Sequence, residues 1–163
     1  MKYKSFAVIG LGVFGYTIAT ELAEIGNDVI VVDQDETIIN EIGRKVTDAY
    51  TADITRPNVI EDLGIKNVDT VIISMGSNLE ATIITTLKCK ELGVKNTVVK
   101  ASDDISARIF KKIGADSVVI PEEDMGRKLA HSLTSTNLVD IVELSDDYSI
   151  IELSVPESWI GRS

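Results

Sequence analysis

Three glycines near the N-terminus have the spacing of a loop that holds phosphates. Gly10, Gly12 and Gly15 form a G-x-G-x-x-G motif between an apolar run ending at Ile9 and a helical pattern that continues to about Ile25. In such a loop the first glycine permits a tight turn, the second lets the backbone approach a pyrophosphate, and the third lets the helix pack closely on the sheet. The helix directs its unpaired N–H groups and positive dipole end toward the phosphates. The loop therefore predicts binding of a mononucleotide or dinucleotide.

An acidic residue stands where the ribose of such a ligand would lie. Asp33 ends the second predicted strand, 18 residues beyond Gly15, and a carboxylate at that place can accept hydrogen bonds from ribose hydroxyls. The structural alternatives are a glycine turn that serves packing alone and an Asp33 that only caps the helical run 36–42.

The rest of the pattern predicts a doubly wound α/β fold. Helical segments that end in Ile or Leu followed by Gly alternate with short β-branched runs, as in a parallel sheet covered by helices on both faces. Predicted helix-closing glycines are Gly26, Gly64, Gly93 and Gly114. Predicted strands are 6–9, 29–32, 49–52, 70–74, 97–100 and 117–120. We expect a Rossmann-like domain over 1–134.

Right-handed crossovers place the C-terminal ends of all these strands along one edge, where ligands bind. Asp53 follows the third strand, Lys100 ends the fifth and Glu122 follows the sixth. The alternatives are that Asp53 only caps a short helix and that Lys100 is a solvated strand end. For Glu122 the alternative is that the helix dipole alone favours an acid in the first turn. Ser77 or Asn78 is expected to cap the helix 79–92. The candidate ligand contacts are Gly10, Gly12, Val13, Phe14, Gly15, Asp33, Gln34, Asp53, Ile54, Ser74, Met75, Gly76, Lys100 and Glu122.

The pattern changes after a predicted helix over 122–133. The polar segment 132–137 is expected to be a linker, and 139–144 and 148–155 have the alternation of a half-buried antiparallel pair. Two strands cannot form a self-sufficient core. We therefore expect 135–163 to be a linker and the start of a small truncated second domain, or an arm that packs on another subunit.

Composition excludes several classes of function. The chain has 163 residues, of which 44% are hydrophobic and 26% charged, as in a globular protein. Its net charge of −10 opposes nucleic-acid binding, which needs a basic face, but allows a nucleotide held by backbone amides. Cys89 is the only cysteine, which excludes a disulfide framework and favours the cytoplasm. No signal peptide or bilayer-spanning run is found, so we expect any membrane role to come through a partner.

Catalytic groups are scarce. His131 is the only histidine and has no partner acid at a recognisable spacing. We expect Cys89 to be buried in the helix 79–92, without a cation placed to lower its pKa. No nucleophile elbow, Walker lysine motif or pair of metal-binding histidines occurs. We expect no enzyme activity from this chain. Two other interpretations stay open, namely the cofactor domain of an NAD-dependent dehydrogenase and an assembly module whose nucleotide is structural.

An ordered set of motifs adds a family resemblance. The set comprises 10–15, 31–33, 52–53, 79–92, 98–101, the K-I-G-A-D segment 112–116 and the P-E-E-D-M-G segment 121–126. Together these segments resemble the N-terminal domain of the regulator-of-potassium-conductance (RCK) family, in the form of the Ktr- and Trk-type subunits of bacterial potassium uptake systems. The resemblance spans about residues 4–155, and the last two segments are its most specific parts.

The resemblance implies a non-catalytic gating subunit that binds ATP or ADP, or NAD or NADH. Such subunits form dimers and then an octameric ring on the cytoplasmic side of a membrane-embedded potassium transporter. By the same resemblance the three glycines contact phosphates, Asp33 the ribose and Asp53 the adenine side. Glu122 lies near the phosphates at the dimer interface, where it can help hold a cation.

One position departs from the family pattern. Where the family often has an arginine that reaches the terminal phosphate of ATP, this chain has Val13. A charge-assisted contact of that kind is worth about 1.5–3 kcal/mol. The preference among ATP, ADP and NAD therefore stays open.

Overall fold

The computed structural model describes residues 4–76, 78–134, 138–145 and 148–153. The chain divides into two compact units, Met1–Ile120 and Pro121–Ser163. The domain boundary placed between residues 134 and 135 from the sequence stays a prediction. Within the described ranges, no helix combines the length and apolarity needed to cross a membrane.

The first unit alternates strands with helices throughout. Its strands are β1 (Ser5–Ile9), β2 (Asp28–Asp33), β3 (Asp48–Thr51), β4 (Thr70–Ile73), β5 (Thr97–Lys100) and β6 (Ser117–Val119). Its helices are α1 (Val13–Glu24), α2 (Glu36–Ile42), α3 (Val59–Asp62), α4 (Leu79–Glu91) and α5 (Asp104–Lys112), with a 3₁₀ turn at Ile65–Asn67. All six predicted strands are confirmed. The predicted closing glycines have the left-handed φ values expected of them, from 70° at Gly64 to 103° at Gly114.

The six strands form one parallel sheet in the order β3-β2-β1-β4-β5-β6. The chain first builds outward from β1 through β2 to β3, then returns to the other side of β1 with β4. The strand order therefore reverses between β1 and β4, and ligands of such sheets bind in the crevice at this switch point. The predicted doubly wound, Rossmann-like architecture is confirmed.

Continuous apolar strands produce a core on both faces of the sheet. Successive residues of a strand point to opposite faces, so Ala7 and Ile9 of β1 join one cluster while Val8 joins the other. The first cluster includes Phe110 of α5, and the second includes Ala19 of α1. Because all three of these β1 residues are buried, β1 and the loop that follows it are held firmly in the middle of the sheet.

The second unit contains a helix and a pair of strands. Helix α6 (Pro121–Thr134) precedes β7 (Leu138–Ser145) and β8 (Tyr148–Leu153), which pair antiparallel as the sequence predicts. The predicted linker begins at residue 132, but residues 132–134 still belong to α6, where the Thr134 hydroxyl lies 3.0 Å from the Ala130 carbonyl oxygen. The rest of that linker, the turn residues 146–147 and the segment after 153 lie outside the described residues.

Candidate nucleotide-binding crevice

The glycine loop leaves the sheet at the switch point. The Gly10 N–H donates to the Val32 carbonyl at 2.9 Å, and the Ser74 N–H donates to the Ile9 carbonyl at 2.7 Å, so the ends of β2 and β4 grip the end of β1. Gly10 has φ 89°, and a β-carbon there would lie 2.8 Å from the Ser74 carbonyl oxygen. Only glycine fits this turn without strain.

The other two glycines of the motif differ in what surrounds them. A β-carbon on Gly15 would collide with the Gly10 carbonyl oxygen, so the start of α1 packs directly on the loop. A β-carbon on Gly12 would meet no atom of the described residues within 4 Å. Gly15 therefore serves packing, whereas Gly12 faces open space, as the motif predicts for a position where a ligand approaches the backbone.

The N-terminus of α1 carries no charge-neutralising group of its own. Its N-cap is Gly12, which makes no side-chain capping bond, and its first turn has no acidic residue. The N–H groups of Val13, Phe14 and Gly15 lack intrahelical acceptors, as in the first turn of any α-helix. These donors and the helix dipole favour an anion at the loop.

Asp33 is held in a fixed orientation beside the loop. Its Oδ2 accepts the Leu11 N–H at 2.6 Å, and its Oδ1 accepts the Asp35 N–H at 2.9 Å. The first bond joins the end of β2 to the glycine loop itself. Each carboxylate oxygen keeps a further lone pair, so Asp33 can accept ribose hydroxyls while it positions the loop. The helix cap of α2 is Asp35, whose side chain accepts the Thr37 N–H. The capping alternative for Asp33 is therefore wrong.

A crevice with a cavity volume of about 180 Å³ opens at this edge of the sheet. Five of the predicted contacts line it: Gly10, Asp33, Gln34, Ile54 and Met75. Its wall combines one carboxylate and polar amides with buried apolar side chains. Such a mixture suits a ligand with a flat apolar ring and a polar sugar.

Asp53 lies next to the crevice wall and organises the loop after β3. Its Oδ1 accepts the Thr55 hydroxyl at 2.6 Å and the Thr55 N–H at 3.0 Å. These two bonds, the hydroxyl first, lower the pKa of the Asp53 carboxyl, and contacts from Arg56 and Gln34 act in the same direction. Asp53 is therefore an anion that shapes the loop, and its predicted contact with the adenine side of a ligand stays a prediction.

The remaining predicted contacts of the first unit lie around the loop rather than in the crevice. Ser74 is buried against the turn. The Lys100 Nζ lies 5.9 Å from the centroid of the Phe14 ring. The Lys100 side chain also passes close to Gly76, since a β-carbon added to Gly76 would lie 3.8 Å from it. Val13 is 89% exposed at the first residue of α1. Its side chain adds no charge where the family pattern often has one.

Glu122 belongs to the second unit. It lies in the first turn of α6 with Glu123 and Asp124, and Glu123 pairs with Arg127 at 3.2 Å. The part of the chain that the structure describes holds no cluster of three or more His, Cys, Asp or Glu side chains that could bind a metal ion. The cation at Glu122 stays a prediction.

Cys89 is placed for packing rather than for chemistry. It lies in α4 and is fully buried, and burial raises the pKa of its thiol to about 12. The expectation that no cation acts on it is wrong, because the charge of Lys90 lowers the pKa, but the effect of burial is larger. The thiolate needed for nucleophilic attack is therefore not formed near neutral pH. His131 is on an exposed face of α6.

Sequence reasoning missed six lining residues, of which Ile9, Val32 and Ala52 lie at strand ends and the others are Thr55, Asn78 and Ala81. Thr55 had a local signal, because an Asp followed two residues later by Thr after a strand is typical of a side-chain-closed turn. Asn78 was left out of the predicted contacts because a capping role was expected of it. It does cap α4, accepting the Ala81 N–H at 3.0 Å, and it also lines the crevice. Ala81 gave no signal, since a small residue in the first turn of a helix is common.

This arrangement of loop, acid and sheet can be compared with known proteins. The TrkA-N domain family matches residues 6–121, which include the whole crevice. The chain belongs to the TrkA-N domain family. The resemblance stated from the motifs is thereby confirmed.

This TrkA-N domain has relatives among proteins of potassium uptake systems. It is 44% identical over 160 residues to Ktr system potassium uptake protein C of Bacillus subtilis (strain 168), covering 98% of this chain and 72% of that protein. It is also 44% identical over 163 residues to Ktr system potassium uptake protein A of the same organism, covering 100% of this chain and 73% of that protein.

Several solved structures share the fold. The TrkA-N domain of inner membrane protein ybaL from Escherichia coli has a TM-score of 0.71 at 14% identity, over 83% of this chain and 98% of that chain. The GsuK channel bound to NAD has a TM-score of 0.70 at 14% identity, over 89% of this chain and 26% of that chain. The Kef CTD of Shewanella denitrificans in AMP-bound form has a TM-score of 0.66 at 17% identity, over 81% and 82%. At these identities the similarity shows the fold alone.

Proposed function

We propose that this TrkA-N domain is the nucleotide-binding part of a regulatory subunit of a potassium uptake system. The observation that carries the proposal is the open space at Gly12, which faces the uncapped start of α1 and lies beside an oriented Asp33. The Ktr names of the relatives supply the biological setting. The NAD and AMP of two structural neighbours share an adenosine monophosphate group, which supports an adenine nucleotide as the ligand.

Each part of an adenine nucleotide has a matching group in or beside the crevice. The phosphates would accept hydrogen bonds from the backbone N–H groups at the start of α1. A ribose hydroxyl would donate to Asp33. The adenine ring would lie against the wall formed by Ile54 and Thr55, with Gln34 at its polar edge.

The loop favours no single nucleotide by itself. Backbone N–H groups bind any phosphate, and Val13 offers no side-chain charge to a terminal one, so AMP, ADP, ATP, NAD and NADH are all candidates. NADP is disfavoured, because its 2′-phosphate would face the Asp33 carboxylate.

A regulatory role requires that the nucleotide changes an assembly. A ligand shifts an equilibrium between two shapes only by its difference in affinity for them. Dimers that form an octameric ring beneath the membrane-embedded transporter, on its cytoplasmic side, would supply those shapes, with Glu122 near a cation at the dimer interface. Helix α6 supports an assembly role, because Met125, Leu129 and Leu133 recur every four residues and are 64%, 56% and 78% exposed.

Calorimetric titration with ATP, ADP, AMP, NAD, NADH and NADP tests this function when the oligomer size is followed by light scattering. A nucleotide sensor predicts binding of several adenine nucleotides, no binding of NADP, and an oligomer size or shape that depends on the nucleotide. Binding without any such change would indicate a structural nucleotide. A chain that binds none of the six would refute the proposal, and hydride transfer in the presence of an added substrate domain would favour a dehydrogenase.

A further inference from the structure

A lysine outside the crevice holds one of its walls. The Lys88 Nζ donates to the Thr55 carbonyl at 2.7 Å and to the Arg56 carbonyl at 3.0 Å. Both carbonyls belong to the loop after β3, and Thr55 lines the crevice. Lys88 therefore links α4 to the crevice wall across 33 residues of sequence.

The two ends of this link differ in how firmly they are fixed. On α4, Thr82, Thr85, Thr86 and Cys89 are all buried, so the helix is fixed to the sheet. The loop is anchored to the core at Ile54, but the residues that follow it, Arg56, Pro57 and Asn58, are exposed. An ammonium group that donates to two carbonyls makes charge-assisted bonds, which are stronger than neutral ones. The contact therefore holds the Thr55 and Arg56 backbone in a fixed position relative to α4.

The loop has its own internal bonds, but they fix only its shape. Asp53 binds the Thr55 hydroxyl and N–H, and the Arg56 N–H donates to the Asp53 carbonyl at 3.1 Å. These bonds close a turn within four residues and do not reach any other element. The bond from Ala52 to Asp33 holds the start of the turn, and Lys88 holds its end.

We infer that Lys88 is a positioning residue for the adenosine end of the crevice. It holds Thr55 against the site before the ligand arrives, so the ligand does not have to order the loop. This inference rests on the proposed function, since it assigns the loop to nucleotide binding. AMP, ADP and NAD share the adenosine part, so the effect of Lys88 is the same for all three.

The test compares two lysines of α4. Lys88→Met removes the contact and keeps the apolar stem, whereas Lys88→Arg keeps donors. Lys90→Met is the matched control, because the Lys90 Nζ makes a similar 2.8 Å contact with Asp116. Asp116 immediately precedes β6, which is the edge strand farthest from β3. Calorimetry gives the affinities of each variant for AMP, ADP and NAD. Hydrogen exchange of the peptide 52–58 in the nucleotide-free protein gives the order of the loop.

Lys88→Met is expected to lower the affinity for AMP, ADP and NAD by a similar factor of about tenfold, or about 1.4 kcal/mol. This loss is comparable to the free-energy cost of ordering one loop residue. Hydrogen exchange of the peptide 52–58 is expected to be faster in nucleotide-free Lys88→Met than in the nucleotide-free wild type. The affinities of Lys88→Arg and Lys90→Met for the three nucleotides are expected to stay within about twofold of the wild-type values, well below the tenfold loss expected for Lys88→Met.

Three results would overturn the inference: unchanged affinity in Lys88→Met, an equal loss in Lys90→Met, or a loss that grows from AMP to ADP. The last would mean that the lysine charge acts on phosphates. If the wild type bound no nucleotide, the proposed function would fail, and the exchange data would still decide whether Lys88 orders the loop. Equal exchange of 52–58 in the wild type and Lys88→Met would then refute its positioning role.

Discussion

The substitution Gly12→Ala separates the ligand from the fold. Gly12 has φ −61° and ψ 179°, which alanine adopts without strain, and an added β-carbon meets no described atom within 4 Å. The β-carbon would instead occupy the space in which a phosphate approaches the start of α1. Folding should therefore tolerate the change, and phosphate binding should not.

The expected magnitudes follow from these contacts. Alanine restricts the unfolded chain, which stabilises the fold by about 0.4–1 kcal/mol, but it is a poorer N-cap than glycine by an amount of the same order. The free energy of unfolding should stay within about 1 kcal/mol of the wild type. Hydrogen bonds to a charged group are worth about 1.5–3 kcal/mol each. Loss of one phosphate contact should weaken binding roughly ten- to hundredfold.

Gly15→Ala is the matched control, because its β-carbon would collide with the Gly10 carbonyl oxygen. Overpacking of this kind costs about 1–3 kcal/mol or more, so this variant should unfold in less denaturant whether or not ligand is present. Urea unfolding and calorimetric titration with ADP measure both quantities. The reasoning is refuted if Gly12→Ala folds normally and binds ADP as tightly as the wild type.

Three further substitutions test other parts of the account. Asp33→Ala should weaken AMP, ADP and NAD by about tenfold through the lost ribose contact; unchanged calorimetric affinities for all three would make the ribose assignment wrong. Val13→Arg should strengthen ATP by about tenfold relative to AMP, because it adds a charge-assisted contact near the loop; an equal gain for both ligands would place the arginine away from the terminal phosphate. Bonds from Lys95 and Ser5 lower the pKa of Asp69, so its ionised form stabilises the fold above the unfolded pKa of about 4 and this contribution is lost as the pH falls further. Asp69→Asn should therefore lower Tm at pH 7 and make the fall of Tm on acidification shallower; parallel Tm curves between pH 7 and pH 3 would contradict this.

The fold was predictable because its signals are local. Most strands of the sheet are apolar runs of a few residues, with the short and mixed β3 as the exception, and each closing glycine follows the last turn of its helix. The glycine loop was predictable for the same reason, since Gly10, Gly12 and Gly15 lie within six residues of one another. Asp33 is farther from the glycine loop in sequence, but the lengths of one helix and one strand fix its separation from the loop.

The crevice wall was less predictable because long-range packing builds it. Lys88 reaches Thr55 only when α4 packs beside the loop after β3, and no spacing in the sequence reports that contact. The separate roles of the three glycines, by contrast, were predictable from the motif. The surroundings of Gly12 and Gly15 show that one faces open space and the other packs on backbone. Glu122 is in a different compact unit from the loop, so its predicted role depends on how units or subunits assemble.

The most direct measurement is a crystal structure of the protein grown with ADP. The account predicts ADP in the crevice, with its phosphates at the N-terminus of α1 beside Gly12 and its ribose within hydrogen-bonding distance of Asp33. ADP bound elsewhere on the chain, or a crevice filled by the protein's own side chains in the presence of saturating ADP, would contradict the account.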